Sequence, residues 1–164
     1  MEIKVAFYKK QTSLYTKGIY YVQKLQRTER PDFVHVELVV DGVWHTSSSI
    51  DGGVRERRIS GDSGNWEFIT LNVSVDEVAL LKLFFYSQRN CGYDYLGVFL
   101  TQLLPLDIQS RERWFCSEIV AEALMLIGVL PIVASPSYYS PARLNDTLTI
   151  LHNITNKPSF KVEL

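Results

Sequence analysis

The chain has 164 residues, of which 46% are hydrophobic and 21% are charged, and its formal net charge is −1. This length and composition are typical of one globular domain with its own core. The near-zero net charge predicts no general attraction to nucleic acids or membranes. No apolar run reaches the ~18 residues of a membrane-spanning helix, and the N-terminal residues lack the apolar stretch of a signal peptide. We therefore expect a cytoplasmic protein, or a virion-associated one if the source is a virus or phage.

The first half of the chain predicts strands joined by tight turns. Alternating or continuous apolar residues with turn residues at both ends predict strands over 3–7, 33–40, 43–48, 54–59 and 66–73. Asp41-Gly42, between the second and third of these, is a strong signal for a two-residue hairpin. Segment 15–27 is compatible with a helix over the core or with an extended pair.

The second half predicts helices. Ser74 or Asp76 can cap a helix that runs to Tyr86. A short apolar segment is expected near 93–106, a helix over 116–127, a surface loop over 131–141, and a further helix that starts at Ser140-Pro141. The C-terminal residues, through His152 and Phe160, could add a strand. Residues 1–164 are thus predicted to form a single α+β domain with a sheet packed against helices.

Cys116 stands at the first turn of the predicted helix over 116–127. Backbone N–H groups without intrahelical partners and the positive end of the helix dipole favour a thiolate there. The same N–H groups can bind the oxyanion of a tetrahedral intermediate. The alternative is a small buried core residue, or a disulfide with Cys91, the other cysteine of the chain.

His35 and Glu37 lie two residues apart on a predicted strand and therefore share a face. A carboxylate beside an imidazole raises its basicity and can fix its tautomer. Cysteine, histidine and an orienting acid form the general nucleophile–base–orienter arrangement. The alternative is a solvated His–Glu pair on the open face of a sheet.

His45 competes with Glu37 for the third position. If Asp41-Gly42 forms a two-residue turn, Leu38 faces His45, and His45 lies on the core side, away from His35. A bulge in the hairpin would reverse this arrangement. We prefer Glu37 and keep His45 as the alternative, and we expect His152 to be structural or exposed.

Four stretches together resemble the circularly permuted papain-like proteins, the branch of the NlpC-type superfamily that includes YiiX-like proteins and lecithin:retinol acyltransferase. They begin at His35 (HVELVVDG), Asp51 (DGGV), Tyr93 (YDYLG) and Trp114 (WFCSE). The resemblance covers roughly residues 33–128, and in that branch the histidine strand also precedes the cysteine helix. It implies an antiparallel sheet packed on helices and thiol chemistry on amides, esters or thioesters, with Cys116 as nucleophile and His35 as base.

The resemblance also concerns residues around this pair. The third polar residue of the family often lies at the position of Thr46, which is neither a carboxylate nor an imidazole, so the chain departs from the pattern. Tyr93 could help to form the oxyanion site or a pocket wall, or it could be a core residue. We expect Glu118 to complement the helix N-terminus, and Arg111 and Arg113 to be solvated.

The sequence therefore predicts a cysteine hydrolase or acyltransferase with a Cys116–His35–Glu37 centre. No metal or cofactor is expected, because only three histidines are present and none are spaced as zinc ligands. The expected substrate is a peptide, a cell-wall amide or a lipid acyl group. The alternative is a binding module, such as a virion or host-interaction protein, that keeps the scaffold without the chemistry.

Overall fold

The structure is a computed structural model that describes residues 1–9, 13–59, 64–94 and 113–155. In these ranges a seven-stranded sheet is combined with four α-helices, which confirms the predicted α+β class. The strands are β1 (Glu2–Tyr8), β2 (His35–Val40), β3 (Val43–Ser48), β4 (Gly53–Arg57), β5 (Trp66–Asn72), β6 (Gly92–Tyr93) and β7 (Arg113–Trp114). The helices are α1 (Leu14–Leu25), α2 (Val75–Ser87), α3 (Cys116–Leu126) and α4 (Pro141–Thr155), and a 3-10 turn covers Pro136–Tyr138.

The strands lie in the order β5-β1-β2-β3-β4-β6-β7, and all neighbours are antiparallel except the parallel pair β6–β7. The β2–β3 hairpin has the predicted register, with Leu38 opposite His45 and Val40 opposite Val43. Asp41 and Gly42 both have positive φ, 49° and 74°, as the two-residue turn of an Asp-Gly hairpin requires. The turn chemistry thus fixes which residues of β3 face which residues of β2.

The core lies between one face of the sheet and three of the helices. Alternate residues of β1 and β2 are buried on this face and pack in one cluster with residues of α2, α3 and α4; among them are Val5, Phe7, Leu38, Phe85, Ile119, Leu124 and Leu144. The opposite face is also buried near the sheet centre, where Ala6, Glu37 and Thr46 are nearly inaccessible. The strand face that carries Glu37 is therefore not open to solvent at this point.

Local hydrogen bonds explain where the helices begin. The Ser13 hydroxyl accepts a bond from the Thr16 N–H, so segment 15–27 forms a helix and not an extended pair. Ser74, not Asp76, caps α2, because its hydroxyl accepts from the Glu77 N–H at 3.1 Å. No helix within the described ranges has the length and apolar content needed to cross a bilayer.

Several predictions for the second half need correction. Residues 131–141 are not wholly a surface loop, because Pro136 and Ser137 are buried in the 3-10 turn. His152 is exposed on α4, so the strand predicted there is wrong up to residue 155. Phe160, Arg111, the turn at 61–63 and most of the 93–106 segment lie outside the described residues.

Gly53 is the glycine whose conformation the sheet depends on. Its φ is 156°, and a Cβ added there would lie 2.2 Å from the Cys91 carbonyl oxygen. The pairing of Gly53 with Gly92 joins β4 to β6 at this contact. Glycine is needed because β6 passes too close to β4 for any side chain.

Candidate active site

Cys116 is the first residue of α3, as the sequence predicts. Phe115 is its extended N-cap residue, and the backbone N–H of Phe115 donates to Glu118 Oε2 at 3.4 Å. Glu118 therefore complements the helix N-terminus, as expected. Cys116 and Cys91 are both free thiols, so no disulfide consumes the predicted nucleophile. Cys116 is only 3% exposed.

His35, the first residue of β2, lies within hydrogen-bonding reach of the Cys116 side chain. The Nε2 atom of His35 is 3.1 Å from Glu37 Oε1. Because Nε2 faces Glu37, Nδ1 is the ring nitrogen left for the thiol. The structure thus brings together the three residues that sequence reasoning selected, in the order thiol, imidazole, carboxylate.

The surroundings of His35 favour its charged form. Burial alone would lower the pKa of His35, but the Cys116 side chain and the Glu37 carboxylate raise this pKa from 6.5 to about 10. The protonated imidazole thus lies between the Cys116 side chain and the Glu37 carboxylate. An imidazolium at this place also holds a proton that can be given to a leaving group.

Glu37 is 1% exposed, and it stays ionised because of two cationic neighbours. Burial alone would raise its pKa, but His35 and Arg55 hold the pKa of this carboxyl below its usual 4.5. Arg55 Nη2 donates to the same oxygen, Oε1, at 2.6 Å, while Arg55 Nε lies 2.8 Å from Asp51 Oδ2. A series of charged groups thus runs from His35, beside Cys116, through Glu37 and Arg55 to Asp51.

Sequence reasoning did not single out Arg55, which lies on the strand predicted over 54–59. Arg55 pairs with Thr46 across β3–β4, and the β2–β3 register, continued by one residue, places Thr46 beside Glu37. The three residues thus form one row across three strands. The proximity of Arg55 to Glu37 can be predicted from the sequence only if the registers of both hairpins, β2–β3 and β3–β4, are known.

His45 is not the third member of this group. It lies on the core side of β3, where its ring stacks on Phe85 with centroids 4.6 Å apart. Burial lowers the pKa of His45, and its Nδ1 is 3.8 Å from Glu56 Oε1. It borders a separate cavity of about 270 Å³ that Lys82 also lines. The predicted two-residue turn is the reason, because it sends the side chains of His45 and His35 to opposite faces.

Tyr93 is a buried residue that packs in a small cluster with Phe115 and Ile19. It therefore lies next to the residue that precedes Cys116, which fits a wall of the site better than an oxyanion donor. Arg113 is exposed, as expected. Of the site residues that the sequence predicted, Cys116, His35 and Glu37 are therefore the ones whose side chains interact with one another.

An aromatic cluster that the sequence did not reveal adjoins His35. The Trp66 ring lies 6.3 Å from the His35 ring, 4.8 Å from Tyr8 and 5.0 Å from Trp44. Phe68, which is partly exposed, completes the group 5.9 Å from Trp44. The register places Tyr8 opposite both His35 and Trp66, so the cluster forms an apolar wall on one side of the imidazole.

No protein-family model matches the chain, and neither a curated protein nor a solved structure matches it. The resemblance to permuted papain-like proteins thus remains a prediction from the quoted motifs. The candidate catalytic site is therefore supported by the positions of Cys116, His35 and Glu37 alone.

Proposed function

We propose that the protein is a cysteine-dependent hydrolase or acyltransferase that acts on an amide, ester or thioester through a thioester on Cys116. The observation that supports this proposal is the contact of the Cys116 thiol with a His35 imidazole that Glu37 binds from its other side. A Cys–His–acid series at the start of a helix, with the side chains in mutual contact, is the arrangement that thiol catalysis uses.

The reaction would proceed in two halves. The Cys116 thiolate attacks the carbonyl carbon, and the carbonyl oxygen takes the negative charge near the first-turn N–H groups of α3. As the oxyanion collapses, the bond to the leaving amine, alkoxide or thiolate breaks, and the His35 imidazolium gives that group its proton. The product of this half is an acyl thioester on Cys116 and a neutral imidazole.

In the second half His35 acts as a base. It takes a proton from water, or from another acceptor, which attacks the thioester carbon and releases the acyl group from Cys116. The proton returns to the imidazole and the thiolate is restored, so the cycle balances. Glu37 is a positioning residue, because it fixes the ring and stabilises the imidazolium without touching the reacting carbonyl.

The substrate could be a peptide, a cell-wall amide or a lipid acyl group, and whether water or another nucleophile accepts the acyl group decides between hydrolysis and transfer. Reaction requires that a carbonyl carbon reach Sγ. His35 is only partly buried, so we infer that substrate approaches from the side of the imidazole.

A second candidate function is a binding module that keeps the scaffold without turnover. The low exposure of Cys116, 3%, favours this candidate, because a nucleophile must be accessible to its substrate. The aromatic cluster of Tyr8, Trp44, Trp66 and Phe68 could then serve recognition alone.

Thiol alkylation separates the two candidates. Purified protein would be treated with iodoacetamide at a series of pH values, and the labelling of Cys116 and of Cys91 would be measured by peptide mass spectrometry. Cys91 is partly buried, forms no disulfide and donates to Gln88 Oε1 at 3.3 Å, and it serves as an internal control. If the proposal is correct, Cys116 reacts faster than Cys91 at neutral pH and retains its advantage as pH falls.

The variants His35→Ala and His45→Ala form a matched pair. The first should slow the labelling of Cys116 by about tenfold or more, and the second should leave it unchanged. Equal and slow labelling of both cysteines, or loss of the Cys116 advantage in both variants, would favour the binding module.

A further inference from the structure

Helix α1 presents large apolar side chains to solvent and buries a glutamine. Leu14 is 88% exposed and Leu25 is 79% exposed, and Tyr21 between them is also exposed. Their spacing of seven and four residues places them on one side of a helix. Gln23, on the opposite side, is fully buried. Exposed leucines and a buried amide depart from the pattern of an ordinary surface helix, although Ile19 and Val22 of α1 are partly buried.

The buried side is held in place by specific hydrogen bonds. Gln23 Nε2 donates to the carbonyl oxygens of Pro31 at 3.0 Å and Phe33 at 2.8 Å. Its Oε1 accepts from the Ala142 N–H, at the start of α4, at 2.9 Å. These bonds fix the rotation of α1 about its axis. If the helix turned so that the leucines faced inward, the Gln23 amide would lose all three hydrogen bonds. The leucines therefore remain outside in the folded protein.

The charges of α1 lie on this exposed side. Lys17 and Lys24 are exposed, and no other residue of α1 is charged. Their positions, three residues after Leu14 and three after Tyr21, put both lysines on one flank of the apolar residues. The outer face of α1 thus combines leucine, tyrosine and lysine and has no acidic side chain.

Helix α2 provides a contrast within the same molecule. Leu83 of α2 is 65% exposed, but the first turn of that helix carries Asp76 and Glu77. An exposed leucine alone therefore does not distinguish α1. Its distinguishing feature is that apolar side chains and two lysines share one face of a helix that has no acidic residue of its own.

We propose that the outer face of α1 docks on the surface of an anionic lipid bilayer. Helices that lie in the membrane interface have an apolar side of leucine and aromatic residues bordered by lysines. The negative surface potential of acidic lipids attracts such lysines within a Debye length. A net charge of −1 for the whole chain does not oppose this, because the attraction acts over the local face.

This docking is independent of the chemistry proposed for Cys116, but the two surfaces are close. Ile19 of α1 packs with Phe115, the N-cap residue of the helix that begins at Cys116. A bilayer bound to α1 would therefore lie about one helix diameter, ~10 Å, from that N-cap.

Vesicle co-sedimentation of the full chain tests the proposal. The vesicles would contain phosphatidylcholine alone or phosphatidylcholine with about one third phosphatidylserine, at about 0.1 M salt. Three exposed-surface variants would be compared with the wild type: Leu14→Ser/Leu25→Ser, Lys17→Gln/Lys24→Gln, and the matched control Leu83→Ser. The alkylation rate of Cys116 would report in each case whether the fold and the thiol site are intact.

The wild type should bind the acidic vesicles and bind phosphatidylcholine much more weakly. The partition coefficient should fall roughly tenfold for each leucine removed and about fivefold for each lysine removed, while Leu83→Ser binds like the wild type. No sedimentation with acidic vesicles, or equal losses in Leu83→Ser, would overturn the proposal, and the exposed face would then be assigned to a protein partner. If Cys116 is labelled at the same rate in all variants, a change in vesicle binding concerns the α1 surface alone and does not bear on the function proposed for Cys116.

Discussion

Replacing Arg55 by methionine removes the cation that supports the buried Glu37 carboxylate. The guanidinium Nη2 lies 2.6 Å from Glu37 Oε1. Two such charges with centres about 4 Å apart attract by about 4 kcal/mol at an effective dielectric constant of about 20. Removing one partner of a buried pair costs about 3–5 kcal/mol, and we take the lower end because His35 Nε2 remains 3.1 Å from Glu37 Oε1. We therefore expect the free energy of unfolding of Arg55→Met to fall by about 3 kcal/mol.

The pH dependence of this loss has a definite sign. The pKa of Glu37 is held below 4.5 by His35 and Arg55, so its contribution to stability is present above pH 4.5 and is lost as pH falls through the folded pKa. The difference between wild type and Arg55→Met should be largest near neutral pH and should shrink under acid conditions, where the carboxyl is protonated in both proteins. Urea unfolding at about pH 7 and at an acid pH below the folded pKa of Glu37 would measure it.

A double-mutant cycle with Glu37→Gln isolates the pair. Because the double variant leaves neither charge unpaired, it should be more stable than the sum of the single effects by about 2 kcal/mol. Arg55→Lys is the matched control: it keeps the charge but loses the planar fork, and it should recover part of the loss. Strictly additive single effects, or an Arg55→Met protein as stable as the wild type, would refute the coupling inferred from the geometry. The Cys116 alkylation rate should fall in Arg55→Met and recover in Arg55→Lys.

Backbone geometry and the titration of His35 give three more expected outcomes. Gly53→Ala should destabilise the protein by about 3 kcal/mol in urea unfolding, because the new Cβ would lie 2.2 Å from the Cys91 carbonyl oxygen. Gly18→Ala, where nothing lies within 4 Å of the added Cβ, should instead stabilise it by about 0.5–1 kcal/mol. The pKa of His35 rises from 6.5 to about 10, so the stability it contributes is present below pH 6.5 and is lost as pH rises through about 10. The free energy of unfolding should therefore decline between pH 6.5 and about 10 in the wild type, and should decline less in His35→Gln. The same dependence on pH in both proteins would contradict this expectation.

The hairpin between β2 and β3 shows what local sequence can determine. Asp41-Gly42 accepts positive φ at two successive residues, and this turn fixes the pairing of Leu38 with His45. From that single turn follow the assignment of His45 to the core side and the preference for Glu37. The two-residue alternation of strand faces and the turn residues were sufficient to predict these positions, because every residue involved lies within one short hairpin.

Arg55 shows why the rest was not predicted. Its strand, β4, reaches Glu37 only through a second hairpin, whose turn follows Ser48 and ends at Gly53. Neither the length nor the residues of the turn between Ser48 and Gly53 specify the strand register as strongly as the Asp41-Gly42 turn does. The two-residue strands β6 and β7 were missed for a related reason, because so short a segment has no periodicity to detect.

Thr46 lies between Glu37 on β2 and Arg55 on β4. Arg55 pairs with Thr46, so its side chain must extend across that residue to reach Glu37. The Thr46 hydroxyl is engaged elsewhere, because it donates to the Val36 carbonyl oxygen at 2.9 Å. A larger polar residue at this position, as the resemblance would lead one to expect, would occupy the space of the Arg55–Glu37 pair. The carboxylate on β2 and the guanidinium on β4 therefore form one arrangement, which depends on a small residue between them.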